Sequence, residues 1–244
     1  MKFSVIIPAH NEEVCISRCL DSIERAAAAY PDQVEIIVVL NRCADSTEQI
    51  ARARGAVIAN DDSRCLAKIR NKGAKSAKGE IIVTIDADSW MTENMFSEID
   101  RALQSGRYIG GAVSIRAERM SPGITVSLFL LKGIIYMSGL GGGLYWCYRR
   151  DFEAIGGFNE NLLVAEDLDF AKRLKMLGKT RDRKFINLRR AYITTSCRKF
   201  DYFGDWLVLR MILFHGRELK AVLRGTNTDL PNRYFYDFEH PRKK

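Results

Sequence analysis

No run in this chain meets the needs of a membrane-spanning helix, and there is no zinc-type cysteine spacing, internal repeat or low-complexity linker. Each absence narrows the field. The six cysteines (Cys15, Cys19, Cys43, Cys65, Cys147, Cys197) are scattered, which removes a structural zinc motif and leaves reduced thiols in a cytoplasm as the expectation. Met1-Lys2 leads directly into a short β-like run without the regions of a signal peptide. The most apolar stretch, Met120 to Tyr148, has Lys132 as its only charge. Its glycines (Gly123, Gly133, Gly139, Gly141, Gly142, Gly143) are too many for a helix interior in lipid. Aromatic residues are not interleaved with a basic stripe, which argues against a nucleic-acid partner. The first strand is not followed by a glycine-rich phosphate loop, which argues against a nucleotidyltransferase.

What is present is ordinary in bulk. The 244 residues are 47% hydrophobic and 28% charged, enough for one large domain with a full core or one domain with an appended segment. Only Pro241 to Lys244 reads as disordered. The formal net charge of +8 suits an anionic membrane surface or a phosphorylated small molecule.

Strand and helix patterns alternate along the first half. Phe3 to Pro8 and Val34 to Leu40 read as buried parallel strands, as do Ala56 to Ala59 and Glu80 to Ile85. Between them the periodicity predicts helices from about Glu12, over EQIARAR up to Gly55, and through Leu66, Ile69 and Gly73. A further helix covers Met95 to Leu103. This is a doubly wound α/β half, over residues 1–106, in which ligands collect at the carboxyl ends of strands. Residues 107–200 are less regular. Strands are expected over Tyr108 to Arg116 and Gly143 to Arg149, and near Arg183 to Leu188 and Ala191 to Ser196. Helices are expected over Ile124 to Met137 and Leu168 to Leu177, with Leu168, Ala171 and Leu174 inward. Residues 201–244 read as a C-terminal helical segment, with an amphipathic helix or two between Tyr202 and Leu223.

The polar residues that need explaining follow strand ends. Pro8-Ala9-His10-Asn11-Glu12, Asn41 to Asp45 and Asp86-Ala87-Asp88 are expected to meet along one sheet edge. Two carboxylates flanking Ala87 repel each other and invite a positive partner, for which a divalent cation bridging to diphosphate oxygens is the economical choice. Arg70 offers a clamp for phosphate or for those carboxylates. Glu166-Asp167 opens a helix, where acidic residues also complement the dipole.

Taken in order, these pieces resemble glycosyltransferase family 2. They are VIIPAHNEE (Val5 to Glu13), DSTEQIA (Asp45 to Ala51), KIRNKGAKSAKGE (Lys68 to Glu80), VTIDAD (Val83 to Asp88), CYRRDFEAIGGFNE (Cys147 to Glu160) and AEDLDFAKRLKMLG (Ala165 to Gly178). The resemblance implies a GT-A type α/β fold with a doubly wound, mostly parallel sheet flanked by helices over residues 1–200. It implies an inverting transferase acting from a nucleotide-diphosphate sugar, by default a UDP-sugar, with Mn²⁺ or Mg²⁺. Pro8, His10, Asn11 and Glu12 would then line the nucleotide pocket, with Asn41 against the base and the Asp45 loop closing it. Arg70 would approach the diphosphate, and Asp86, Ala87 and Asp88 would meet ribose and metal, with Asp88 the main ligand. Asp167, with Glu166 beside it, would stand at the general base.

Two departures from the family pattern are visible. Leu40-Asn41 stands where members usually carry an acidic pair. His215 is the one candidate for a downstream histidine ligand, and it lies in an apolar run, with Arg198 and Lys199 as substitutes against phosphate. The alternative class is a nucleotide-sugar-binding scaffold without turnover, which the retained Asp88 and Asp167 oppose. The acceptor could be a glycan, a lipid-linked sugar or a small molecule. The apolar Ile124 to Tyr148 run and the basic C-terminal segment suit peripheral contact with an inner membrane face, or a core helix and a dimer interface. The aromatic Tyr234-Phe235-Tyr236-Asp237-Phe238 suits a partner surface, including a second copy, or an intramolecular dock.

Overall fold

The computed structural model describes residues 1–138, 142–163, 165–211 and 213, with the backbone alone for 131–138. His215, the aromatic run at 234–238 and the terminal tail lie outside the described residues, as does the helix expected over Tyr202 to Leu223 beyond 213.

The first half follows the sequence pattern. Strands β1 (Phe3–Ala9), β2 (Val34–Leu40), β3 (Val57–Asn60) and β4 (Ile81–Ile85) pair in parallel, in the order β3-β2-β1-β4. They alternate with α1 (Ile16–Ala27), α2 (Thr47–Ala53) and α3 (Leu66–Ser76). All five residues of β4 are buried, as expected of a strand covered on both faces. Val5 and Ile7 belong to the core on one side of the sheet and Ile6 to the core on the other, following the two-residue period of a strand.

Three expectations need correction. Helix α1 starts at Ile16, not near Glu12, because the amides of Glu12 and Glu13 are held by the side chains of Thr47 and Asp45. Asn11 is also left-handed, with φ of 51°. The two strands expected around residues 183–196 are one, β8 (Lys184–Thr195). It follows β6 (Tyr108–Ala117) along its length, and the partner of Val113 is Leu188 whereas that of Ser114 is Tyr192. The residues between, Arg189 to Ala191, are taken up in a bulge, so a local polar break did not end the strand. On α7 (Glu166–Thr180) the buried line runs through Phe170, Ala171 and Leu174, and Leu168 is only half-buried.

The remaining elements are β5 (Ser89–Met91), α4 (Met95–Gln104), α5 (Pro122–Ser138), β7 (Gly142–Tyr148), α6 (Arg149–Ala154) and α8 (Arg198–Phe203). The full sheet has eight strands in the order β3-β2-β1-β4-β7-β6-β8-β5. Strand β7 runs antiparallel to both neighbours and β5 antiparallel to β8, so the sheet is mixed, with the parallel pairs only slightly ahead. Where β4 gives way to β7 the strand direction reverses, and the carboxyl ends of β1, β2 and β4 open beside that reversal. This is where a ligand crevice forms in such sheets.

Candidate active site

The Arg70-Asn71-Lys72-Gly73 sequence organises the crevice through three separate contacts. Gly73 sets α3 so close to the sheet that a Cβ there would lie 2.5 Å from Ile6 and 2.9 Å from Val39. Asn71 uses both ends of its amide on the Gly156-Gly157-Phe158 turn: Oδ1 accepts from the Phe158 amide at 2.9 Å, and Nδ2 donates to the Phe158 carbonyl at 2.9 Å. Nδ2 also meets Glu160 at 3.0 Å. Gly157 has φ of 66° and a Cβ there would fall 2.5 Å from Asn71 Oδ1, so glycine is required by both conformation and space. Phe158 in turn stacks on Phe170 of α7, with ring centroids 4.4 Å apart. The amino end of α7 is therefore fixed against α3.

Arg70 itself is buried, and its two terminal nitrogens donate to Asp86 and to Glu166, each at 2.8 Å. Of the two readings the sequence offered, this guanidinium bridges carboxylates. Its Nε has no hydrogen-bond partner, and the group also faces the Phe158 ring at 5.3 Å. Burial pushes the Glu166 carboxyl up, Arg70 opposes the shift, and neighbouring Asp167 adds to it. Ala165, just before α7, is left-handed with φ of 61°, and Ala165, Glu166 and Asp167 all line the crevice. Asp167 accepts from the Leu168 amide at 2.7 Å through Oδ1, and the Tyr145 hydroxyl lies 3.4 Å from Oδ2.

The resulting cleft encloses about 390 Å³ and is lined from both sides. Pro8, His10, Glu12, Asn41, Asp86, Ala87 and Asp88 come from strand ends of the first half, Arg70 from α3, Glu166 and Asp167 from α7, and Arg198 and Lys199 from α8. Arg198 donates to Glu12 at 2.5 Å and stands 3.7 Å from Asp88. Burial pushes Glu12 up to about 7, against the pull of Arg198, with Asp88 adding to the rise. Asp88 is likewise raised, first by burial and then by the charge of Asp86, while Lys199 and Arg198 oppose. Acids that resist ionisation beside one another are a common signature of functional sites.

Two of the residues expected at the nucleotide lie outside this lining. Asn11 accepts from the Ala44 amide at 2.8 Å, and Asp45 accepts from the Glu13 amide and from Thr47, each at 3.0 Å through backbone nitrogen. Burial would push Asp45 up, but those hydrogen bonds outweigh it and hold the carboxyl below its ordinary value. Both residues staple the loop after β1 to the loop after β2. Asn41 lines the cleft, yet its amide nitrogen is committed to the carbonyls of Asp61 and Ser63, at 2.5 and 2.8 Å. His10 meets the Asn41 carbonyl at 2.5 Å through Nδ1, which puts its proton there. Tyr145 and Ala165 escaped the sequence reading: a tyrosine in an apolar strand and an alanine before a helix carry no local sign of a site.

Among the described residues no cluster of three His, Cys, Asp or Glu side chains is arranged to hold a metal ion. Asp86 and Asp88 both line the cleft, and the charge of Asp86 adds to the upward shift of Asp88, a repulsion that a cation arriving with a diphosphate would relieve.

The model for glycosyl transferase family 2 matches residues 4–129, more than half of the chain. The chain belongs to glycosyl transferase family 2. Within the family it is similar to glycosyltransferase AglE of Haloferax volcanii, at 32% identity over 224 residues, covering 84% of this chain and 69% of that protein. It is also 31% identical to the EpsH protein of Bacillus subtilis over 93 residues, which are 36% of this chain and 26% of EpsH. The chain thus spans about a quarter of that relative's length. Among solved structures, the mannosyltransferase PcManGT from Pyrobaculum calidifontis, in complex with GDP-Man and Mn²⁺, superposes with a TM-score of 0.68 at 20% identity. That match covers 97% of this chain and 68% of the other. S. aureus TarS 1–349 in complex with UDP-GlcNAc gives a TM-score of 0.62 at 20% identity over 96% of this chain and 73% of that one. At such identities the likeness concerns the fold, which is the α/β architecture of family 2 transferases.

Proposed function

We propose that this protein transfers a sugar from a nucleotide-diphosphate donor to an acceptor hydroxyl, with inversion at the anomeric carbon. The observation that carries the reading is one cleft with Asp86-Ala87-Asp88 on one wall and Glu166-Asp167 on another, Arg70 being bonded to an acid of each. Family membership supports the class of reaction. In this assignment residues 1–106 hold the donor nucleotide and residues 107–200 present the acceptor.

The base is Asp167. Glu166 is engaged by Arg70, whereas Asp167 keeps Oδ2 within reach of a hydroxyl, as the neighbouring Tyr145 oxygen illustrates. Asp167 removes the acceptor proton as the acceptor oxygen bonds to the anomeric carbon, and the bond from that carbon to the diphosphate oxygen breaks on the opposite face. The electron pair leaves with the nucleoside diphosphate. Asp88, with Asp86, would hold Mn²⁺ or Mg²⁺, which supplies positive charge for the departing phosphate when bound. Arg198 and Lys199 add fixed positive charge on the same side. Pro8, His10 and Glu12 form the wall toward the nucleotide, and Asn11 and Asp45 act by holding that wall in place. UDP is the proposed carrier. The solved relatives are divided, since TarS was determined with UDP-GlcNAc and PcManGT with GDP-Man.

Calorimetric titration with UDP, GDP, dTDP and CDP, each with and without Mn²⁺, tests the donor site. Binding of one diphosphate, strengthened by the cation, supports it. Binding of none would leave the chain as an inert member of its family.

A further inference from the structure

Five of the large apolar side chains that stand in solvent lie in two segments joined at one junction. Met120 precedes α5 and Phe129 lies midway along it; Tyr202, Trp206 and Leu213 belong to α8 and the residues after it. Arg119 ties the segments together through Asp201 and Asp205, at 2.5 and 2.7 Å. The Ser127 hydroxyl donates to the Asp205 carbonyl at 3.3 Å. Gly123 seats α5 on the same residue, since a Cβ there would lie 2.8 Å from the Asp205 backbone. The exposure is large: Phe129 is 76%, Leu213 66% and Trp206 46% accessible. Side chains of this size standing in solvent on adjoining segments mark an interaction surface.

Cations outnumber acids around the patch, with Arg119, Arg198, Lys199 and Arg210 against Asp201 and Asp205. No acidic residue occurs between Arg119 and Tyr148, and the two acids on the facing segment, Asp201 and Asp205, are both bonded to Arg119. Arg210 is exposed beside Trp206, and the chain as a whole carries +8. Among the described residues helix α5 has 17 residues, which at about 1.5 Å per residue falls short of a hydrocarbon core of roughly 30 Å. Among the described residues no helix is long and apolar enough to cross a membrane. An apolar surface with aromatic side chains and basic neighbours, too short to span, has the chemistry of an element that lies in a membrane interface.

We propose that this surface docks the protein onto a bilayer containing anionic lipid. Helix α8 carries Arg198 and Lys199 into the cleft and Tyr202 onto the patch, so the docked protein presents the mouth of its site beside the membrane. The acceptor class that follows is one anchored in lipid, and this last step alone rests on the transfer reading above.

Sedimentation with vesicles tests the docking on the full chain, without nucleotide. Vesicles of phosphatidylcholine with phosphatidylglycerol should bring the protein down, and phosphatidylcholine alone should do so much less. The double variant Phe129→Glu with Trp206→Glu should weaken partition roughly tenfold or more. Arg210→Glu should reduce it less and flatten its salt dependence. Trp206→Phe should retain binding while losing part of the blue shift in tryptophan emission. Unaltered circular dichroism separates these effects from misfolding. Partition unchanged in the double variant, or absent from anionic vesicles while nucleotide still binds, overturns the proposal and leaves the transfer reading in place. A dimer in sedimentation velocity that dissociates in Phe129→Glu overturns it in favour of a second copy on this face. Vesicle binding by a protein that takes no nucleotide would support the docking and remove the transfer reading.

Discussion

Replacing Arg70 with methionine tests the electrostatic heart of the cleft while keeping an unbranched apolar stem against Phe158. The two ion pairs it breaks are unequal. Glu166 is buried, with 9% of its side chain accessible, whereas the Asp86 side chain is 42% accessible. The exposed arm contributes at most about 1 kcal/mol, since water already screens it. Leaving Glu166 buried without its cation costs about 3–5 kcal/mol. Removing the unpartnered Arg70 Nε returns about 1 kcal/mol, because that donor is already desolvated without a bond. The net loss for Arg70→Met is therefore about 2–5 kcal/mol. Glu166→Gln should recover much of it in the double variant, with a coupling of about 2 kcal/mol, because a neutral amide needs no cation. Urea unfolding of the four proteins, followed by circular dichroism with a common slope, gives the cycle. A loss below about 1 kcal/mol in Arg70→Met, or a coupling indistinguishable from zero, would refute the reasoning that this guanidinium holds the two walls together.

Asp88→Asn should weaken the Mn²⁺-dependent part of nucleotide binding while leaving the fold intact; equal affinity with and without the cation in both proteins would remove that role. Asp167→Asn should lower transfer by about 10²–10⁴-fold with donor affinity unchanged, measured by steady-state release of nucleoside diphosphate and by calorimetry. Glu12 gives a pH signature. Its folded value, about 7, lies above the ordinary 4.5, so the folded state binds the extra proton and stability falls as pH rises through that window. The full shift corresponds to roughly 3 kcal/mol, so wild type should lose about 2–3 kcal/mol more than Glu12→Gln between pH 5 and pH 8, read from urea midpoints. Parallel curves for the two proteins would contradict it.

How much of this was legible in the sequence depended on whether a residue acts where it stands in the chain. Strand ends are written locally, so Asp86, Asp88 and the Pro8 to Glu12 loop could be placed at one edge from hydrophobic pattern alone. Glu166 and Asp167 could be placed at the start of a helix, but acids there are ordinary, and only the family resemblance pointed them to a site. What α3 does with Arg70 was not legible, because the choice between phosphate and carboxylate depends on a partner 96 residues away. Asn11, Asn41 and Asp45 show the same limit: their residue types announced polar chemistry, but long-range backbone donors and acceptors consume much of it. Tyr145 lies in an apolar strand whose sequence reads as core, and only pairing with β4 brings its hydroxyl to Asp167. The single strand β8 was read as two because a bulge and a turn look alike in one dimension. The mixed sheet follows from β7, whose antiparallel direction no local pattern encodes.

The most direct measurement of the central claim is release of nucleoside diphosphate from a panel of UDP-, GDP- and dTDP-sugars with Mn²⁺, in the presence and absence of a membrane lipid extract. One donor should be turned over, the extract should accelerate it, and Asp88→Asn and Asp167→Asn should each remove the release. Turnover that survives both substitutions would place the chemistry outside this cleft, and no turnover of any donor by a protein that binds one would contradict the assignment of an active transferase.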